Sequence, residues 1–226
     1  MSLLSTSMLI GCAKKTAPDA GLAECKEQVQ TLESELATLK AQQQADKERM
    51  AAYMAMLESR KKLDQELRDK LKALIDAGQL RLTYRRGLML LELPQEVLFD
   101  AGKAVLKEDG KAVIVEVSNV LSGVTDRRFL VAGHTDSDPI KARKSTYPSN
   151  WELSTARAQS VVNLMVANNF DAANIGVSGF GEFDPTGSND TAEGKSANRR
   201  IEILLIPNLE ELMNIEMQAA KEMGQM

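Results

Sequence analysis

Arg127-Arg128-Phe129-Leu130-Val131-Ala132-Gly133-His134-Thr135-Asp136 reads as a strand that ends in a polar turn. Behind it, Ser154 to about Asn168 reads as a helix capped by Ser154. Similar pieces flank this unit. Leu88 to Leu93, apolar but for Glu92, reads as a buried strand closed by Pro94. Residues 103–122 carry Val105, Leu106, Val113, Ile114, Val117 and Leu121 at helical spacing and stop at Gly123. Asn174 to Phe180 reads as a third core strand, and Ser196 to Arg199 as a helical turn before the strand Ile201 to Ile206. Leu80-Arg81-Leu82-Thr83-Tyr84 alternates ahead of a turn at Arg86-Gly87. The order β-α-β-α-β-β predicts an α+β domain, a mixed sheet with helices on one face.

Upstream the texture changes. From Leu22 the apolar residues step by threes and fours through Cys25, Val29, Leu32, Leu36 and Leu39, and on to Leu67, Leu71 and Leu74. Gln43, Asp46, Arg60 and Asp64 interrupt the stripe, and no Gly or Pro occurs from Leu22 to Ala77. This is the period of a left-handed coiled coil, and residues 22–77 are expected to be a self-associating stalk ended by Gly78. Polar seam positions cost stability but can fix register. Cys25 either pairs with its copy in a parallel dimer or is a buried small side chain. Residues 78–207 make the globular domain, and 208–226 an acidic, helix-prone tail that packs back on it or meets a partner. Residues 1–87 hold 15 Lys and Arg against 12 Asp and Glu, and residues 88–226 hold 13 against 20. With a net charge of −4, the balance argues against a nucleic-acid partner.

No stretch reaches the roughly 18 apolar residues of a membrane span. Leu9-Ile10-Gly11-Cys12, at the end of a short apolar run, resembles the lipobox of bacterial lipoproteins, with residues 1–21 as a partial signal and linker. It lacks the basic start of a full secretory signal. The resemblance implies acyl chains on Cys12 and, with Ala13 after it, the periplasmic face of the outer membrane.

Three segments together resemble the OmpA-like peptidoglycan-binding family, shared by OmpA C-terminal, Pal and MotB-type proteins. They are Val97-Leu98-Phe99-Asp100 with Gly102; Gly133-His134-Thr135-Asp136 with Asn150-Trp151-Glu152-Leu153-Ser154 and Arg157-Ala158; and Gly179-Phe180-Gly181-Glu182 with Asn198-Arg199-Arg200. Asp136-Ser137-Asp138-Pro139-Ile140 and Asn150-Trp151-Glu152-Leu153-Ser154 are closest to the MotB branch, with Lys141–Asn150 longer than the Pal loop. The resemblance implies non-covalent binding of the stem peptide, through Asp136, Arg157, Asn150, Phe99, Asp100, Thr135, Leu153 and Arg199.

The chemistry agrees. A diaminopimelate side chain ends in an ammonium and a carboxylate on one carbon, so its site needs an anion and a cation close together. Asp136 can accept from the ammonium. Arg157, expected in the first turn of its helix, can take the carboxylate in two parallel hydrogen bonds, as lysine could not. Without ligand the two are expected to pair. Arg199 and Arg200 open a strand and face opposite ways, one toward the pocket and the other toward solvent or the sheet edge; the resemblance implies that Arg199 is the one toward the pocket. His134, the only histidine, provides no zinc ligand set and is read as holding the Thr135-Asp136 turn. Neither metal nor other cofactor is expected. Phe99 and Trp151 are core or ligand contacts, and Asn198 is a turn residue. Two other roles compete with an envelope anchor. A MotB-like stator subunit needs a membrane span. A hydrolase needs a carboxylate pair, yet Asp136 and Asp138 lie two apart on extended chain and face opposite sides.

Overall fold

A computed structural model describes residues 18–206, apart from Arg86, Asp126 and 141–145. The Cys12 region, the first half of the Lys141–Asn150 loop and the C-terminal tail lie outside the described residues. The chain divides near Met54 into two units. The first is a helical stretch of α1 (Pro18–Lys70), unbroken through Gln43 and Asp46. Its stripe residues Leu22, Leu32, Leu36, Leu39 and Met50 are exposed on this single chain, and Cys25 is an exposed free thiol.

The second unit starts with the last turns of α1, followed by α2 (Lys72–Asp76), β1 (Arg81–Arg85), β2 (Leu88–Pro94), α3 (Gln95–Leu98), α4 (Glu108–Leu121), β3 (Arg128–His134), α5 (Asn150–Ala167), β4 (Ile175–Gly181), α6 (Ala192–Asn198) and β5 (Arg200–Ile206). The sheet runs β1-β2-β5-β3-β4, with β3 and β4 parallel and every other neighbour antiparallel. It is mixed, as expected. Alternation sends Met89, Leu91 and Leu93 of β2, Phe129 and Val131 of β3, and Ile201, Ile203 and Leu205 of β5 into one core. Val113, Ile114, Val117 and Leu121 of α4 and Ala158, Val161, Val162 and Met165 of α5 cover that face.

Several boundaries differ from the sequence reading. Leu67, Leu71 and Leu74, read as the end of the heptad stripe, are buried in this core with Leu80 and Leu82. A three-and-four spacing serves a core-facing helix as well as a coiled coil. The main helix ends at Lys70, and Gly78 takes φ 70° two residues beyond α2. The helix foreseen over 103–122 starts only at Glu108. Residues before it loop so that Phe99 bridges Leu106, which leaves Val105 exposed. Asn174–Phe180, foreseen as a core strand, is the sheet's edge. The turn before β5 is the longer helix α6.

α5 begins at Asn150, four residues before Ser154. Its cap is Ser149, whose hydroxyl accepts from the Trp151 amide at 3.2 Å and meets the Glu152 carboxylate three residues on, at capping-box spacing. Ser154 instead lies inside the helix, fully buried, and its Oγ accepts from the Gly181 amide at 3.0 Å. The helix can come this close because β3 and β4 present glycines to it. A Cβ on Gly133 would stand 2.0 Å from the Ser154 carbonyl oxygen, and one on Gly179 would stand 2.1 Å from Thr155 Oγ1.

Candidate functional site

At the ends of β3 and β5, beside α5 and the α3–α4 connection, is a cavity of about 980 Å³. Asp136, Arg157, Asn150, Phe99, Asp100, Thr135, Leu153 and Arg199 all line it. Three helical spacings explain part of this convergence. Asn150, Leu153 and Arg157 lie at i, i+3 and i+7, one face of α5. Arg157 therefore stands two turns into the helix, not in its first turn. The free amides of that first turn play no part in placing its charge.

The expected Asp136–Arg157 pair is absent. Asp136 Oδ2 accepts from Arg199 Nη1 at 2.8 Å, and the same guanidinium binds Glu96 Oε1 at 2.7 Å through Nη2. Asp136 Oδ1 accepts from the Asp138 amide at 3.2 Å, a turn that fixes the carboxylate at the end of β3. Arg157 is 2% exposed; its Nε donates to the Lys103 carbonyl at 2.9 Å and its Nη1 to Gln95 Oε1 at 2.5 Å. Its guanidinium carbon lies 5.6 Å from the centre of the Phe99 ring. Among the described residues no carboxylate forms an ion pair with it. Burial pushes this guanidinium down to about 10, and the group stays cationic at neutral pH. A buried cation without a counter-ion is costly, and its fork keeps further N–H groups for an incoming carboxylate.

The remaining lining residues divide by role. Asn150 is buried and donates from Nδ2 to the Asp136 and Asp138 carbonyls at 3.3 and 3.1 Å and to Glu182 Oε2 at 2.5 Å. It braces the turn that carries Asp136. Thr135 is buried too, and its Oγ1 has no partner among the described residues. Phe99 is a floor under Arg157, whereas Asp100 is exposed at the rim and pairs with Lys103 at 3.0 Å. Gln95, Glu96 and Lys103 were not foreseen. Gln95 holds Arg157 across 62 residues, and Glu96 holds Arg199 across 103, so no local pattern marks them.

His134 does not hold the Thr135–Asp136 turn. It lies on the opposite face of the sheet, fully buried, stacked on Phe180 at 5.1 Å with Nε2 3.4 Å from Glu202 Oε2. Arg200, foreseen on the face away from the pocket, joins it there and donates from Nε to Glu202 Oε1 at 2.7 Å. Arg85 reaches Glu202 at 2.9 Å and Asp184 at 2.6 Å. Asn198 does act at a turn: its Oδ1 accepts from the Thr186 and Gly187 amides, both at 2.8 Å. Among the described residues no cluster of three or more His, Cys, Asp or Glu is placed to hold a metal ion.

This buried network makes folding acid-sensitive. Burial alone would raise the Glu202 carboxyl, but His134 and Arg200 outweigh it and hold it at about 2. Burial also pushes His134 below its ordinary value. The unfolded chain then binds more protons at both groups, so stability falls as pH drops below about 6.5 and further from about 4.3 toward 2. Glu202→Gln is expected to flatten the stability profile between about pH 4 and 3 by up to about 1.4 kcal/mol per pH unit, one proton's worth. Urea unfolding of both chains at a series of pH values measures this slope; an unchanged slope overturns it.

Residues 98–199 match the OmpA family model. Motility protein B of Bacillus subtilis (strain 168) is 39% identical over 120 residues, covering 53% of this chain and 45% of that protein. Probable lipoprotein YiaD of Escherichia coli (strain K12) is 34% identical over 142 residues, 63% of this chain and 60% of that one. The chain thus spans about half the length of the curated relatives it matches. The solved structure of the cell wall anchor of the T6SS from Pseudomonas aeruginosa superposes with a TM-score of 0.57 at 31% identity, covering 63% of this chain and 97% of that one. The motifs, the mixed sheet and these matches agree, and the chain carries, over residues 98–199, a domain of the OmpA family.

Proposed function

We propose that this domain binds peptidoglycan non-covalently, taking the zwitterionic end of a diaminopimelate residue between Asp136 and Arg157. The observation that carries the reading is the buried Arg157, with no ion-pair partner among the described residues, in the same cavity as Asp136. The ligand carboxylate meets Arg157. Its ammonium meets Asp136, displacing Arg199, which keeps its bond to Glu96. No bond of the wall need break, so the role is anchorage rather than catalysis. The Pseudomonas aeruginosa protein described as a cell wall anchor supports this by likeness.

The same reading extends to the rest of the chain. Acylated Cys12 would tether it to the outer membrane; the Escherichia coli relative is named a probable lipoprotein. The exposed stripe Leu22–Met50 would join copies in a coiled coil, and two or three sites on one stalk facing a polymer gain by effective concentration. A second reading, a motility-complex anchor, is favoured by the 39% identity to Motility protein B. Among the described residues no helix is long and apolar enough to cross a membrane. Mass spectrometry of the native N-terminus separates the two. The binding itself is tested by pelleting the full chain with purified sacculi. Free diaminopimelate at millimolar concentration is expected to release it; co-sedimentation that diaminopimelate leaves untouched sinks the assignment of the cavity.

A further inference from the structure

Trp151 and Phe183 are stacked on one another in the open. Their ring centres are 5.1 Å apart at 22°, and the residues are 46% and 65% exposed. Both are held in place. Trp151 sits in the first turn of α5, its amide bound to the capping Ser149, and Phe183 closes a turn whose amide donates to the Phe180 carbonyl at 3.2 Å. The pair adjoins the cavity wall. Asn150 precedes Trp151, Glu182 precedes Phe183, and these two are joined by the 2.5 Å hydrogen bond that also helps brace Asp136. Gly181 packs against the backbone of Asn150 and Trp151, so the end of β4 and the start of α5 form one ledge.

We propose that this ledge is a second subsite, a stacking platform for a pyranose ring of the glycan strand that carries the stem peptide. The inference rests on the stem-peptide reading of the cavity and adds the sugar to it. A pyranose presents a face of C–H groups to an aromatic ring while its hydroxyl and acetamido edges stay in water, which suits rings flanked by polar Ser149, Glu152 and Thr155. Three extended residues span at most about 10 Å, and the ledge continues directly from Asn150 and Glu182, which brace the turn that carries Asp136. A protein partner fits less well. Two side chains offer a few hundred Å² at most, against about 800 Å² per partner in a standard interface.

Trp151 is the only tryptophan of the chain, so its fluorescence reports on the ledge directly. The full chain is titrated with three probes: a diaminopimelate-containing stem tripeptide, the same peptide on its disaccharide, and a sugar-only N-acetylglucosamine tetramer. The disaccharide-bearing peptide is expected to bind about tenfold more tightly than the free peptide and, unlike it, to shift the emission. Phe183→Ala, read by the same emission, and Trp151→Ala, read by calorimetry, are each expected to erase that advantage without changing affinity for the free peptide. Equal affinities for the two peptides in the wild type, or an advantage that survives both substitutions, overturn the proposal. If no peptide binds but the tetramer shifts Trp151 emission, and Phe183→Ala abolishes the shift, the platform stands and the cavity assignment falls. An emission shift that follows protein concentration rather than sugar makes the ledge a self-association surface and overturns it.

Discussion

Arg157→Ala is expected to lower binding to purified sacculi by about 30-fold or more, the equivalent of at least about 2 kcal/mol. The size follows from burial. A ligand carboxylate that enters the cavity leaves water and, without Arg157, loses the buried fork that replaces its hydration, since Arg199 is held by Glu96. The substitution also leaves Gln95 and the Lys103 carbonyl without a partner, at a cost to stability of about 1–3 kcal/mol. Binding is therefore compared at a temperature where melting curves show both chains folded. Arg157→Lys keeps the charge but loses the fork and is expected to fall between wild type and alanine. Asp136→Asn keeps the side chain's shape and can still accept from the Asp138 amide, and it removes the anion that meets the ammonium. It is expected to weaken binding by about tenfold or more. Folded Arg157→Ala and Asp136→Asn chains that pellet like wild type would end the assignment of these two residues.

Gly133→Ala is expected to be among the most damaging small substitutions in the domain, at about 3 kcal/mol or more. The new methyl would meet the Ser154 carbonyl oxygen at 2.0 Å and its carbon at 2.7 Å, both backbone atoms in the middle of a helix turn. No rotamer relieves that contact, so α5 must back away from β3 by more than 1 Å. That motion carries Asn150, Leu153 and Arg157 with it, because all three stand on the displaced helix. Sacculus binding should then fall even at temperatures where the variant is folded. Gly176→Ala provides the control, since its methyl would meet only the end of the Leu130 side chain at 3.4 Å. It is expected to cost under about 1 kcal/mol. Denaturant midpoints for the two variants decide the point; a Gly133→Ala chain as stable as Gly176→Ala is the contrary result.

What could be read in advance follows from which forces are local. The strands were visible because burial on one or both faces writes itself into runs such as Leu88–Leu93 and Ile201–Ile206. The eight proposed ligand contacts were gathered from segments far apart, and the fold does bring them to one cavity. Their pairing was not visible. Asp136 meets Arg199 across 63 residues rather than Arg157 across 21, because Arg157 is drawn toward Gln95 and Lys103 on an element whose position only the tertiary fold sets. The start of α5 was misplaced because Ser149 and Ser154 are both good caps. The glutamate three residues after Ser149 was the deciding signal, and it stood in plain sight. Leu67, Leu71 and Leu74 could not be assigned by spacing alone, since the same repeat fits a partner helix and a sheet. Trp151 was weighed as core or ligand contact, and its exposure excludes the core.

The order of strands has a further effect, on timing. β5, the last strand in the sequence, lies at the middle of the sheet, between β2 and β3, and its Ile201, Ile203 and Leu205 fill the core. During synthesis the other four strands can be complete and still have no common sheet to join. β2 would wait for a neighbour that arrives more than a hundred residues later, and Arg199 and Arg200 arrive with it. The cavity and its brace are thus finished in the same late event that finishes the core, and such long-range pairing is slow. A chain stopped before Arg200 would lack the strand that joins β2 to β3.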